Sequence, residues 1–159
     1  METSSETTKQ RDKLNSLIGS WEGTTLTWFE PGKDPVKAAN KATFKPALNE
    51  NFVEQEYESS LEGKPFHGKA LYAYDSSNEK FQCSWIDSFH MSSSIMFSEG
   101  NATEKGFSVL GAYFYEKIRW GWRTEFEISS KDEIKITAYN ITPEGEDFKA
   151  LETVYKRVK

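Results

Sequence analysis

From Gly19 onward, apolar and polar positions alternate with a period of two, the signature of strands with one face buried, and the alternation runs almost to the C-terminus. It predicts ten strands, near residues 20–30, 37–47, 50–61, 66–75, 80–88, 91–98, 106–115, 119–130, 132–142 and 147–157. Turn-forming residues punctuate them. They are Pro31-Gly32-Lys33-Asp34-Pro35, Asn49-Glu50-Asn51, Glu62-Gly63-Lys64-Pro65, Asp75-Ser76-Ser77-Asn78, Glu99-Gly100-Asn101 and Pro143-Glu144-Gly145-Glu146. No gap is long enough for a crossover helix, so successive strands are expected to pair antiparallel. A meander of this length exposes its edges unless it closes. The expected fold is therefore all-β: a closed or nearly closed antiparallel up-and-down barrel of about ten strands, with a β-sandwich as the rival. Only the start reads as helical: Leu14, Leu17 and Ile18 share one face of a short helix that takes in Asp12 and stops at Gly19. Residues 1–10 read as a flexible polar tail, and residues 11–159 as a single domain.

The alternation also assigns faces. Phe81, Cys83, Trp85 and Asp87 fall on one side of their strand, and Trp120, Trp122, Thr124, Phe126 and Ile128 oppose Arg123, Glu125 and Glu127. Ile134, Ile136, Ala138 and Asn140 share a face, while Glu54, Glu56 and Glu58 form a solvated row opposite Val53, Gln55, Tyr57 and Leu61. The interior is then aromatic with a few polar groups, the usual make-up of a small-molecule site. A ten-strand barrel is also wider than the eight-strand kind that side chains nearly fill. The candidate ligand-binding residues are Tyr72, Trp85, Asp87, Tyr113, Trp122 and Thr124.

Asp87 is the sharpest of these, because a buried carboxylate costs several kcal/mol unless partnered. Three readings stay open: a rim residue capping backbone amides, a ligand-facing carboxylate, or a general acid or base with a raised pKa. Ser88 and His90 stand beside it, but neighbours along a strand alternate faces and do not form a relay. His67 reads as an outer residue, and His90 as an exposed strand start. Two histidines exclude a multi-histidine metal site, although one could ligate haem iron. No Gly-x-Ser-x-Gly, phosphate-cradling loop or His-Glu-x-x-His is present, so no catalytic residue, metal or cofactor is assigned.

Composition narrows the setting. The 159 residues suit one domain, and aromatic residues reach 14% while hydrophobic residues total only 36%. A net charge of −5 gives no basic excess for nucleic acid, and no apolar run is long enough to span a membrane. The polar stretch Met1 to Lys13 predicts no secretory signal and hence a cytoplasmic location. The lone cysteine, Cys83, forbids an internal disulfide and reads as a small buried hydrophobe.

Several segments resemble known proteins. Gly19-Ser20-Trp21 after a short helix resembles the Gly-x-Trp opening of lipocalin-like (calycin) barrels, in which a basic residue of the last strand packs across the tryptophan. Here Arg157 stands in that place. The longer series is Trp21-Glu22-Gly23, Glu62-Gly63-Lys64-Pro65-Phe66-His67-Gly68, Tyr74-Asp75, Trp85-Ile86-Asp87-Ser88, Glu144-Gly145-Glu146-Asp147-Phe148 and Tyr155-Lys156-Arg157. It resembles a largely bacterial family of lipocalin-like proteins of unknown function, from Leu14 to Arg157. Ala73 and Asn49-Glu50 depart from that family, which carries glycine there. The resemblance implies the barrel, with Trp21 and Arg157 as its structural pair. It maps Trp85 and Asp87 onto a Trp-x-Asp motif, and Arg123 onto a late-strand arginine that pairs with Asp87 only if its strand bulges inward.

The function expected is binding of a small apolar or amphipathic molecule inside the barrel. The alternatives are a barrel isomerase, cyclase or hydratase using Asp87 as acid or base, and a haem-binding barrel. A homodimer could form through exposed edges at the barrel seam.

Overall fold

A computed structural model of the chain describes residues 4–49 and 51–159. It contains α1 (Ser5–Asn15) and ten strands: β1 (Gly19–Thr27), β2 (Val36–Ala47), β3 (Phe52–Leu61), β4 (Lys64–Asp75), β5 (Lys80–Asp87), β6 (Met96–Ala102), β7 (Gly106–Tyr115), β8 (Ile118–Ser130), β9 (Glu133–Ile141) and β10 (Asp147–Arg157). Each strand pairs antiparallel with the next, and β1 closes the ring by pairing with β10 from Trp21↔Arg157 to Thr27↔Leu151. The expected barrel is the observed one. Its closure removes the seam edges through which a dimer could have paired. Among the described residues no helix is long and apolar enough to cross a membrane.

The strand faces follow the period-two reading because the pleat of β5, β8 and β9 is uninterrupted through the middle of the barrel. Phe81, Cys83 and Asp87 are buried, as are Trp122, Phe126, Ile134, Ile136 and Ala138. Glu54 and Glu56 lie outside, where Lys69 pairs with both.

Two elements differ from expectation. The helix begins at Ser5, so residues 5–10, read as tail, are helical; residues 1–3 lie outside those described. Ser4 caps it, its Oγ accepting from the Thr7 amide at 3.1 Å. Its buried face is Thr7, Gln10 and Leu14, so polar residues carry the helical spacing and hide it from a hydrophobic pattern. Leu17 and Ile18 follow the helix, and Gly19 opens β1 rather than ending α1.

The sixth strand is displaced by about five residues, starting at Met96 rather than near residue 91. Met91 instead belongs to a turn, in which its carbonyl accepts from the amides of Ser93 and Ser94. Glu99-Gly100-Asn101 is consequently strand, not turn. Gly100 is there because a Cβ would lie 1.8 Å from the Ser108 carbonyl oxygen: it permits close backbone approach across the ladder.

The barrel has a solid end and an open end. At the solid end Phe107 stacks between Phe81, 4.4 Å away, and Phe126, 4.5 Å away. Trp21 lies there under the Arg157 guanidinium, 4.2 Å from its ring centre, and donates its indole N–H to the Leu17 carbonyl at 2.7 Å. Arg157 also binds the carbonyls of Ile18, Ser16 and Lys131, joining the segment after α1 to the last strands. The structural pair implied by the resemblance is thus in place. At the opposite end, the β1–β2, β3–β4, β5–β6, β7–β8 and β9–β10 connections surround a mouth.

Candidate functional site

Towards the mouth the aromatic packing gives way to a cavity of about 100 Å3. One wall is a cross-strand row in which Tyr57 of β3 pairs with Gly68 of β4, and Gly68 pairs with Asp87 of β5. The Tyr57 ring lies over Gly68, where any Cβ would meet the ring's Cζ at 2.1 Å. That seat lets the phenol reach Asp87 Oδ2, to which it donates at 3.1 Å, while Trp85 donates its indole N–H to the Tyr57 oxygen at 2.9 Å.

Asp87 is the hub. Its side chain is wholly shielded, and it accepts from His90 Nδ1 at 2.5 Å and from the Met91 amide at 2.8 Å. Burial alone would raise the carboxyl's pKa. The bond and charge attraction of His90, with the Met91 amide and the Tyr57 hydroxyl, outweigh it and hold Asp87 below the ordinary aspartate range. An ionised carboxylate only accepts, so His90 Nδ1 carries the proton in this contact.

This geometry corrects three expectations. Asp87 does not meet the raised-pKa requirement of an acid or base; it caps a backbone amide and orders two side chains. His90 is not an exposed strand start but a half-buried turn residue, packed against Phe66, Phe89 and Trp85 at ring separations of 5.7, 4.8 and 5.6 Å. Asp87 and His90 do form a pair, because residues 88–95 turn back instead of continuing the strand.

Of the six candidate residues, Tyr72, Trp85, Trp122 and Thr124 line the cavity. Trp85 and Trp122 stack at 5.7 Å with 18° between their planes. Asp87 borders an outer groove instead, behind Tyr57 and His90. Tyr113 lies in a separate recess of about 360 Å3 at the mouth, donating to Asn140 at 2.6 Å beside Trp28 and Trp120. Arg123 stays outside, bound to Glu125 and Asp147 and stacked over Tyr139, with no bulge to turn it inward. His67 is exposed. Cys83 is buried and its thiol is pushed up to about 12, which leaves it inert as a nucleophile. The cavity is much smaller than a porphyrin, so its residues do not fit haem despite the position of His90.

The strand reading passed over Gln55, Tyr57, Phe66 and His90 as site residues, yet all line the cavity. The one signal available for Tyr57 was Gly68, a glycine in mid-strand that marks close approach of a neighbour.

The model of a protein family of unknown function matches the chain over residues 6–157. The chain belongs to the protein family of unknown function DUF1579. No curated protein matches this DUF1579 chain. Solved structures show the same fold at low identity. Rv2717c from M. tuberculosis is 12% identical, with 99% of this chain and 100% of that one covered and a TM-score of 0.65. The S-type phycobiliprotein lyase CPES from Guillardia theta is 13% identical, with 99% of each chain covered and a TM-score of 0.60. EF1p2_mFAP2b, solved bound to DFHBI, is 10% identical, with 94% and 99% covered and a TM-score of 0.51.

Proposed function

We propose that this DUF1579 chain is a binding protein that holds a small amphipathic molecule in the barrel cavity, against Trp85 and Trp122. The observation that carries this reading is an internal cavity with a wall of stacked Trp85 and Trp122 beside Ile136, Ala138 and Leu151, and Ser, Thr, Asn and Gln side chains on the rest of its lining. A structural protein of this size gains nothing from leaving the mouth half hollow, since filling it with side chains would add dispersion and apolar burial. A fold neighbour solved with a small molecule, DFHBI, agrees with such use of the barrel.

At about 100 Å3 the cavity lies below the ~300–1,000 Å3 of drug-sized sites and suits a molecule of about one ring. Affinity comes from removing apolar area from water, at about 25 cal/mol per Å2. The Tyr57–Asp87–His90–Trp85 network keeps the wall rigid, which limits the ordering cost on binding.

Native mass spectrometry and thermal shift with toluene, indole and acetophenone test the reading. Native protein is expected to bind at least one of them. Ala138→Leu, which projects added bulk from the cavity wall, is expected to abolish binding while the protein stays folded. Binding that survives Ala138→Leu unchanged, or no binding to native protein, overturns the proposal.

A further inference from the structure

Most polar groups on the cavity wall are already partnered. Asn40 donates to Thr25 at 3.0 Å, Thr25 and Thr153 share a hydrogen bond at 2.7 Å, and Tyr155 donates to Asn40 at 2.6 Å. Trp85 is committed to Tyr57. Gln55 differs. It is 5% exposed, its Oε1 accepts from the Tyr72 hydroxyl at 2.7 Å, and its Nε2 has no hydrogen-bond partner. That nitrogen is not sealed in protein: among the described residues the one buried side-chain polar atom without a partner is Gln10 Oε1, in α1. Gln55 Nε2 therefore opens on the cavity that its side chain lines. The same holds for the indole N–H of Trp122, a residue 8% exposed with no partner for its nitrogen.

Both groups donate only, as an amide NH2 and an indole N–H must. Ser98 and Thr124 add hydroxyls that serve either way. No Lys or Arg lines the cavity, and any positive charge on His90 is balanced by Asp87, to which it is bonded. A carboxylate entering would be a desolvated anion with no cation to meet it, and an ammonium would find the nearby carboxylate already occupied. The unpartnered groups are thus uncharged: two that only donate, and the hydroxyls of Thr27, Ser60, Ser98 and Thr124, which serve either way.

Resting on the binding reading above, we infer that the ligand is an uncharged molecule of about one ring bearing a carbonyl-type acceptor, which Gln55 and Trp122 receive by donating to it. A single charge-free acceptor satisfies the unused donors, and the remaining ring lies against the Trp85–Trp122 wall.

The test is a titration followed by the indole 1H–15N resonances, using acetophenone, its hydrocarbon counterpart ethylbenzene, and benzoate. Gln55→Met alone would strand the buried Tyr72 hydroxyl, so the variant is Gln55→Met with Tyr72→Phe, which removes both partners of that bond. The ratio of acetophenone to ethylbenzene affinity is expected to fall at least tenfold in the double variant. Benzoate is expected to bind native protein at least tenfold more weakly than acetophenone. An unchanged ratio, or benzoate binding as tightly as acetophenone, overturns this inference and leaves cavity binding standing. If neither acetophenone nor ethylbenzene perturbs the Trp122 indole of the native protein, the binding reading fails as well. Should the double variant be unfolded, Trp122→Phe gives the same comparison, followed on the Trp85 indole, and an unchanged ratio there overturns the inference equally.

Discussion

Gly68→Ala is the smallest change that should dismantle the mouth network. The new Cβ would lie 2.1 Å from Tyr57 Cζ and 2.2 Å from its hydroxyl, so the ring must retreat by at least about 1.3 Å to reach ordinary contact. The Tyr57 hydroxyl sits 3.1 Å from Asp87, and a retreat of that size takes it beyond hydrogen-bonding distance. Gly68 has no left-handed backbone torsion, so alanine's conformation is not the difficulty and the effect is steric. Overpacking costs about 1–3 kcal/mol, and losing a hydrogen bond to a carboxylate costs about 1.5–3 kcal/mol. Restricting the unfolded chain returns about 0.4–1 kcal/mol. The net expectation is about 1.5–5.5 kcal/mol. For a chain of this length that corresponds to a fall in Tm of roughly 3–20 °C.

Thermal unfolding followed by far-UV and near-UV circular dichroism measures it, and a Tyr57→Leu background supplies the control. With the phenol gone, Gly68→Ala should cost at least about 1 kcal/mol less than in the native chain, because the two residues are coupled through a single contact. A Tm within 2 °C of native (roughly 0.5–1 kcal/mol on the same scale), or costs that simply add in the double variant, would show that Gly68 is not the seat of Tyr57.

Two further predictions concern Asp87 at the mouth and Arg157 at the solid end. The Asp87 carboxyl is held below the ordinary aspartate range, so its stabilising effect is complete above the unfolded-state value and disappears as pH falls through the lower folded-state value. Asp87→Asn should accordingly cost about 1.5–3 kcal/mol at neutral pH. Denaturant titrations should show that deficit shrinking below about pH 4, near the unfolded-state value; a deficit constant down to pH 3 contradicts the assignment. At the solid end, Arg157→Ala removes bonds to the carbonyls of Ile18, Ser16 and Lys131 and the cover over Trp21, so stability should fall by about 2–3 kcal/mol with a red shift in tryptophan emission. Arg157→Lys should recover less than half of it, since an ammonium cannot reproduce a planar fork, and full recovery would refute the stacking argument.

Much of this was legible in the chain, for a physical reason. Period-two alternation fixes faces strand by strand, so Trp85, Trp122 and Thr124 line the cavity as read and Asp87 is buried. The errors arise where a residue type has two uses. Gly100 signals a turn in sequence, but here serves close backbone approach, so the strand boundary shifted and took His90 with it. Thr7 and Gln10 are polar yet form the buried face of α1, which no hydrophobic pattern reports. The Asp87–His90 bond needs the turn of residues 88–95 to bring them together, a tertiary fact that alternation along one strand cannot contain. The phenol over Gly68 joins residues eleven apart in sequence through strand register, which was legible only as an unexplained glycine.

The two halves of the barrel imply different demands on the same sheet. In the solid half, Phe81, Phe107 and Phe126 fill the width that ten strands create, and stability follows from burial. Towards the mouth, Gln55 and Trp122 face the cavity with unused N–H groups, each costing about 1–3 kcal/mol if kept dry and unpaired. Folding alone would favour apolar residues of the same shape at both positions. Such a cost is tolerable only where water or a ligand completes the donors. The donors are therefore better explained by an occupant with an acceptor than by the stability of the barrel.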